Sequence, residues 1–231
     1  MPDMKKKYVE EVRKALQAEL GLKNVMQIPK LEKIVISTGI GPDNIDIVIN
    51  ELDALAHIDL KTKEIKAIGR TLNIVRIGTS GSVQADIPVD SFVISEKSIG
   101  CDGVLRFYAN NESVCDHPFE EAFIRHCRWT PSAARPYVVN ADPGLADRLY
   151  DEEHTIKGVT LTAVGFYGPQ GRVLRLPLAM PGINDRITAF RYEGYKVTNY
   201  EMESAAITGL CNLLGHRAAT ICLIIANRIN G

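Results

Sequence analysis

Two periods of hydrophobic spacing run through this chain, and the switches between them mark its elements. Over residues 5–20, Tyr8, Val12, Ala15, Leu16 and Leu20 fall near helical spacing with charged residues between them, and Gly21 stops the pattern. Residues 33–37 (K-I-V-I-S) form a short β-branched run that ends at Gly39 and Gly41, which predicts a buried strand and a turn. Ile45, Ile49, Leu52 and Leu55 then recur on one helical face. Residues 73–77 predict a second strand that runs into a glycine turn over 78–81. Further strands are predicted over 91–98, 137–140 and 155–164, and helices over 184–190 and 201–214. A last strand over 220–226 (T-I-C-L-I-I-A) is apolar on both faces and therefore central in a sheet. Strands alternating with helices predict a layered α/β fold around a mostly parallel sheet, whose ligands sit at the carboxyl ends of strands.

With 231 residues, 45% of them hydrophobic, the chain can bury a full core as one large α/β domain. It has 27 basic and 28 acidic residues and a net charge of −1. That balance lends no support to nucleic-acid or anionic-membrane binding, whereas a phosphate-sized ligand needs only a few local cations. The five cysteines, Cys101, Cys115, Cys127, Cys211 and Cys222, include no C-x-x-C pair and are odd in number, so free thiols in a reducing compartment are expected. The N-terminus is charged and lacks the apolar core of a signal peptide, and no apolar run reaches membrane-spanning length. A cytoplasmic protein is expected.

Three segments carry candidate chemistry. In Arg76-Ile77-Gly78-Thr79-Ser80-Gly81 a cation at a strand end precedes a glycine turn with two hydroxyls, a combination that can hold an oxyanion through N–H groups, hydroxyls and a guanidinium fork. The same residues also suit an ordinary strand-to-loop turn whose Arg pairs with a carboxylate. In Asn199-Tyr200-Glu201-Met202-Glu203-Ser204-Ala205 two glutamates flank a methionine where a strand becomes a helix. A carboxylate there either caps the helix or accepts both hydroxyls of a ribose cis-diol, with the methionine as an apolar wall. In Gly165-Phe166-Tyr167-Gly168-Pro169-Gln170-Gly171-Arg172 a loop offers an aromatic ring, an amide and a guanidinium. Gln170 and Arg172 together match the two carbonyl acceptors and one N–H donor of a uracil edge, although a surface turn with a solvated Arg has the same composition. No histidine and cysteine group has metal-ligand spacing.

With Ser37-Thr38-Gly39-Ile40-Gly41 before them and Ala226-Asn227-Arg228 after them, these motifs resemble, in order, those of the uridine phosphorylase branch of the nucleoside phosphorylases. The resemblance runs from about Lys33 to the end and implies a three-layer α/β fold over 1–231, with 1–32 as an atypical N-terminal segment. It implies phosphorolysis of uridine to uracil and ribose 1-phosphate in pyrimidine salvage, with inorganic phosphate as co-substrate and no cofactor or metal. It also implies a homo-oligomer, a dimer or a hexamer of dimers. Carried over by motif, Arg76, Gly78 and Thr79 resemble phosphate ligands. Thr79, Glu201, Met202 and Glu203 resemble the ribose set, and Arg76, Thr79 and Glu203 are the expected catalytic residues. Phe166, Gln170, Arg172, Ile225 and Arg228 resemble the base set, and Ile40 a pocket lining. Purine-cleaving relatives carry Ser-Asp where this chain has Asn227-Arg228, which points to a pyrimidine. The chain lacks the family's opening G-D-P-x-R; Ala141-Asp142-Pro143-Gly144 echoes it elsewhere in the sequence. The sequence stops just past its last core strand, where the family continues into a helix. A nucleoside-binding protein without phosphorolysis, or a phosphorylase or nucleosidase of broader specificity, is the alternative expectation.

Overall fold

A computed structural model describes residues 8–24, 27, 39 and 41–230. The chain divides into two compact units, Met1–Gly39 and Ile40–Gly231. In the first, a π-helical turn, Tyr8–Val12, runs into α1, Arg13–Glu19, which buries no residue. Gly21 takes φ +60, a left-handed conformation that ends the helix at low steric cost. The helix read from the pattern over 5–20 is thus present over 8–19. Residues 5–7 and the expected strand over 33–37 lie outside the described residues, as does Ile40.

The second unit opens with a 3-10 turn, Pro42–Asn44, and α2, Ile45–His57, whose Ile45 and Ile49 are buried one turn apart. A small antiparallel hairpin follows, β1 (Ile58–Asp59) and β2 (Glu64–Ile65). Then come β3 (Asn73–Ser82), β4 (Phe92–Gly100), α3 (His117–Cys127), β5 (Tyr137–Asn140), α4 (Pro143–Leu149) and β6 (Thr155–Thr162). The chain continues with α5 (Ile183–Ala189), β7 (Arg191–Tyr192), β8 (Tyr195–Glu201), α6 (Ser204–Leu213) and β9 (Arg217–Asn227). The large sheet runs β3-β9-β4-β6-β8-β7, with β5 paired to β4. The ladders β3–β9, β4–β6 and β6–β8 are parallel; β4–β9, β4–β5 and β7–β8 are antiparallel. The end of β3 also meets β8, Gly81 facing Tyr200.

Both faces of this sheet are covered by helices. On β5, Val138 packs with Phe119 and Phe123 of α3 and Ile183 and Ile187 of α5. Its neighbours Tyr137 and Val139 pack on the opposite side with Ile45 and Ile49 of α2 and Leu210 of α6. That period-two alternation, on a strand apolar at every core position, is what a sheet buried on both faces requires. β9 lies between β3 and β4, in agreement with its all-apolar run. No helix among the described residues is long and apolar enough to cross a membrane.

Two differences from the sequence pattern bear on the site. Residues 78–81 are not a turn: β3 continues through them, in register with Gly78–Cys222 and Thr79–Leu223, with one irregularity between Ser80 and Gly81. Their glycines serve side-chain clearance. A Cβ on Gly78 would collide with the Arg76 guanidinium, and one on Gly81 would lie 3.1 Å from Arg228 Nε. The Ala141-Asp142-Pro143-Gly144 echo starts α4, where Asp142 Oδ1 accepts from the Leu145 N–H at 2.8 Å and Pro143 occupies the first turn. α3 and α4 are elements that the hydrophobic pattern did not show, while β8 is the strand expected to become a helix at the two glutamates.

Candidate functional site

Thr162 ends β6 and Glu201 ends β8, side by side in a parallel ladder. The N-terminus of α6 starts directly above them. Glu201 is nearly buried, and its carboxylate organises this corner. Its Oε2 accepts from the N–H groups of Glu203 and Ser204, each at 2.8 Å, and its Oε1 accepts from the Thr162 hydroxyl at 2.5 Å. Thr162 Oγ1 in turn accepts from the Ala205 N–H at 2.9 Å. Three of the four unpaired amides expected at a helix start are thereby satisfied. Glu201, expected in the ribose set, is occupied by the scaffold, while Glu203, two residues on, faces the site.

Arg76 projects from the same side of β3 as Gly78. One of its terminal nitrogens donates to Glu203 Oε2; the other donates to Cys222 Sγ at 3.0 Å and lies 3.4 Å from Glu201 Oε2. The side chains of Arg76 and Glu203 are each only 14% exposed. Burial raises the pKa of Glu203, and the neighbouring Glu201 charge adds to that, against the pull of Arg76. For Arg76 burial works against the charged form and is outweighed by Glu201 and its other partners, so its pKa is raised. Burial pushes the Cys222 thiol up to about 11, so it meets Arg76 as a neutral acceptor. Thr79 stands apart from this cluster. Exposure alternates along β3, which places Thr79 on the opposite, exposed face from Arg76. The structure therefore does not join Thr79 to the anion and sugar residues, and Met202 sits between the two glutamates, half-buried.

The expected base residues do come together. Gln170 is buried in a 3-10 turn, Gly168–Gln170, and its side-chain oxygen accepts from Arg228. Its backbone oxygen accepts from Asn184 Nδ2 at 3.1 Å, and Asn184 Oδ1 accepts from the Tyr200 hydroxyl at 3.1 Å. The Arg172 guanidinium lies 3.7 Å from the centre of the half-exposed Phe166 ring, and that of Arg228 lies 4.5 Å from the Tyr200 ring. Burial, with Arg172 close by, lowers Arg228 to about 10, so it remains a cation at neutral pH. Asn227 turns inward, donating to the Gln84 and Ile87 carbonyls at 2.9 and 2.8 Å, so only Arg228 of the Asn-Arg pair reaches the site. Ile225 is 58% exposed at the end of β9. A cavity of about 740 Å³ lined by Cys101, Asp102, Leu161, Arg172, Met180 and Tyr200, among others, adjoins the base residues rather than the two glutamates. It gives the base side an apolar wall, while the charged chemistry sits at Arg76, Glu201 and Glu203.

Sequence reasoning missed Thr162, Cys222 and Asn184. All three act through partners distant in sequence, and no local pattern marks them. It also missed Asp53, His57 and His216, whose ligand atoms lie within 4.8 Å of one another at the amino-terminal end of β9. Asp53 Oδ1 is 2.7 Å from His57 Nδ1 and 3.2 Å from His216 Nε2. The Leu72 N–H donates to His216 Nδ1 at 3.2 Å, which places the ring proton on Nε2, the atom a metal would need. Asp53 and His57 share a hydrogen bond and the His57 and His216 rings stack with centroids 5.3 Å apart, which braces α2 against the start of β9.

A mixed, mostly parallel sheet covered by helices on both faces is the fold of a nucleoside phosphorylase-like class of protein. The chain belongs to the phosphorylase superfamily, whose model matches residues 10–231. It is 28% identical over 201 residues to a uridine phosphorylase of Thermococcus kodakarensis, an alignment covering 84% of this chain and 58% of that protein. A uridine phosphorylase of Haemophilus influenzae is 26% identical over 202 residues, covering 84% of this chain and 64% of its own length. The chain thus spans about three-fifths of the curated uridine phosphorylases it matches. A crystal structure of a Trypanosoma brucei nucleoside phosphorylase, described as showing uridine phosphorylase activity, superposes with a TM-score of 0.70 at 27% identity. That superposition covers 85% of this chain and 71% of the other. A second likeness is of another kind: large ribosomal subunit protein uL5 of Moorella thermoacetica is 51% identical over 57 residues, 22% of this chain and 32% of that protein.

Proposed function

We propose that the chain is a uridine phosphorylase, cleaving uridine with inorganic phosphate to uracil and ribose 1-phosphate in the cytoplasm, without cofactor or metal. The observation that carries this reading is the grouping of Gln170, Arg172 and Arg228 around one buried amide. Two cations and an oriented amide suit a base whose carbonyls gain negative charge as it leaves, and they suit a purine leaving group poorly, which calls for a proton donor instead.

In this reading a phosphate oxygen held by Arg76 attacks C1′ of the ribose while the C1′–N1 bond breaks. The sugar is held through its 2′ and 3′ hydroxyls by Glu203, against Met202. The electron pair of the broken bond passes into the uracil ring, whose carbonyls are met by Gln170, Arg172 and Arg228, and the proton that hydrogen phosphate carries ends on the released base to give uracil. Positioning and electrostatic stabilisation supply the rate enhancement. Glu201 and Thr162 hold the helix start that carries Glu203. Gly78 gives Arg76 room. Assembly as a homo-oligomer, a dimer or hexamer, belongs to the same reading, as in the family this chain resembles. Release of uracil from uridine, measured with and without phosphate and against inosine, tests the proposal. Phosphate-dependent uracil release supports it, and faster cleavage of inosine than of uridine overturns it.

A further inference from the structure

Arg76 and Glu203 have separate roles in the reading above, one toward the anion and one toward the sugar, yet they are bonded to each other. The guanidinium has little to spare: one terminal nitrogen is on Glu203, and the other is on Cys222 and near Glu201. With both carboxylates ionised, the cluster of one arginine and two glutamates is net negative. An oxyanion approaching Arg76 meets that charge, and it gains a full charge-assisted bond only by drawing the guanidinium away from Glu203. The separation leaves Glu203 as a poorly solvated carboxylate without its cation, a costly state for a side chain only 14% exposed. A pair of hydroxyl donors removes that cost. A ribose arriving without an anion meets a different Glu203, one whose Oε2 is already engaged by Arg76, so that a diol cannot take both oxygens without competing with the guanidinium.

We propose that anion and ribose diol bind cooperatively because each is favoured by the opening of the one Arg76–Glu203 ion pair. The inference rests on the reading of Arg76 as anion ligand and Glu203 as diol ligand. It makes the substrate a nucleoside with free 2′ and 3′ hydroxyls, and it makes phosphate the condition under which that diol is recognised well. By linkage the effect is reciprocal, so the nucleoside tightens the anion by the same factor. Glu201 does not take over the role of Glu203, because its oxygens are committed to Thr162 and to two backbone amides.

The test uses the full chain and sulfate, an unreactive oxyanion, so that binding is read without turnover. Calorimetric titrations of uridine are run without sulfate and at saturating sulfate, with ionic strength held constant by chloride. The expected result is a uridine Kd about ten- to a hundred-fold lower with sulfate, the usual span of a coupling between two sites. For 2′,3′-dideoxyuridine, which has no diol, the Kd should not move. Equal uridine affinities with and without sulfate, or the same sulfate effect on the dideoxy compound, overturn the coupling while leaving uridine binding intact. Absence of uridine binding under both conditions overturns the site assignment itself and the coupling with it. A second arm needs no nucleoside. Sulfate titrated into Glu203→Gln should bind about tenfold or more tightly than into the wild type, because Arg76 is no longer held. Equal or weaker binding in a variant with unchanged circular dichroism shows that the ion pair does not gate the anion.

Discussion

Arg228 donates to the side-chain oxygen of Gln170 and thereby decides which end of that amide is left to donate. The oxygen keeps a lone pair for an N–H such as N3–H of uracil, and the amide nitrogen can donate to a ring carbonyl. Cytosine presents a lone pair at N3 and an amino group at C4, the reverse pattern. Replacing Arg228 with Ala frees the amide to turn over. The expected outcome is a loss of about ten- to a hundred-fold in kcat/KM for uridine, the scale of one charge-assisted hydrogen bond, with a smaller loss for cytidine. The ratio of the two kcat/KM values measures it. An unchanged ratio would show that Arg228 does not set the amide.

Arg172 lies flat on Phe166, so the ring holds the guanidinium at the edge of the base site. Arg172→Ala removes a cation from the place where negative charge develops, and uridine cleavage should fall by about two to three powers of ten in kcat. Phe166→Leu keeps an apolar contact but loses the cation–π support, and a smaller loss of about tenfold is expected. Steady-state kinetics on both variants check the order; a larger effect at Phe166 than at Arg172 would assign the ring, rather than the cation, the main role.

The sequence showed the sheet better than the site. The all-apolar run of β9 and the alternating β5 were readable because burial on both faces leaves no polar position to confuse the period. β3 was cut short at Ile77 because Gly78 and Gly81 look like turn residues, whereas in the fold they clear space for Arg76 and Arg228. Phe166, Gln170 and Arg172 were legible as a group because they share one loop. Glu201 was read as a sugar ligand because the distinction between it and Glu203 lies in Thr162, which β6 brings from about forty positions away. The lack of a G-D-P-x-R motif before residue 33 was visible in the sequence.

Asp102 lies in the wall of the large cavity and accepts from the Val104 N–H at 2.8 Å and the Tyr137 hydroxyl at 2.9 Å. Burial raises its pKa, and the two hydrogen bonds only partly oppose that. A carboxyl whose folded pKa lies above its unfolded value binds its proton more tightly when folded. Stability is then greatest below the unfolded pKa and declines as the pH rises through the folded pKa. Asp102→Asn keeps an acceptor for both donors and removes the titration. Its unfolding free energy relative to wild type should rise between pH 4 and pH 7, as read by urea denaturation at each pH. A constant difference would mean that Asp102 does not titrate in that window.

Glu201 and Glu203 are two residues apart and should fail in different ways. Glu201 is nearly buried and holds two amides of the α6 start and the Thr162 hydroxyl, so Glu201→Ala strands three donors in a region closed to water. Each stranded donor costs about 1–3 kcal/mol, and partial rearrangement brings the expected loss of unfolding free energy to about 3–5 kcal/mol. Glu201→Gln should recover part of it, because the amide oxygen still accepts. The Glu203 side chain is paired with Arg76, which is itself also held by Cys222 and Glu201. Glu203→Gln should therefore leave the urea midpoint within a few tenths of molar of wild type while lowering uridine kcat/KM by two powers of ten or more, because a neutral amide accepts weakly from a diol. Urea titration and uridine kinetics on the two glutamine variants separate the roles. If Glu203→Gln lost stability but kept activity, and Glu201→Gln did the reverse, the assignments of scaffold and sugar ligand would have to be exchanged.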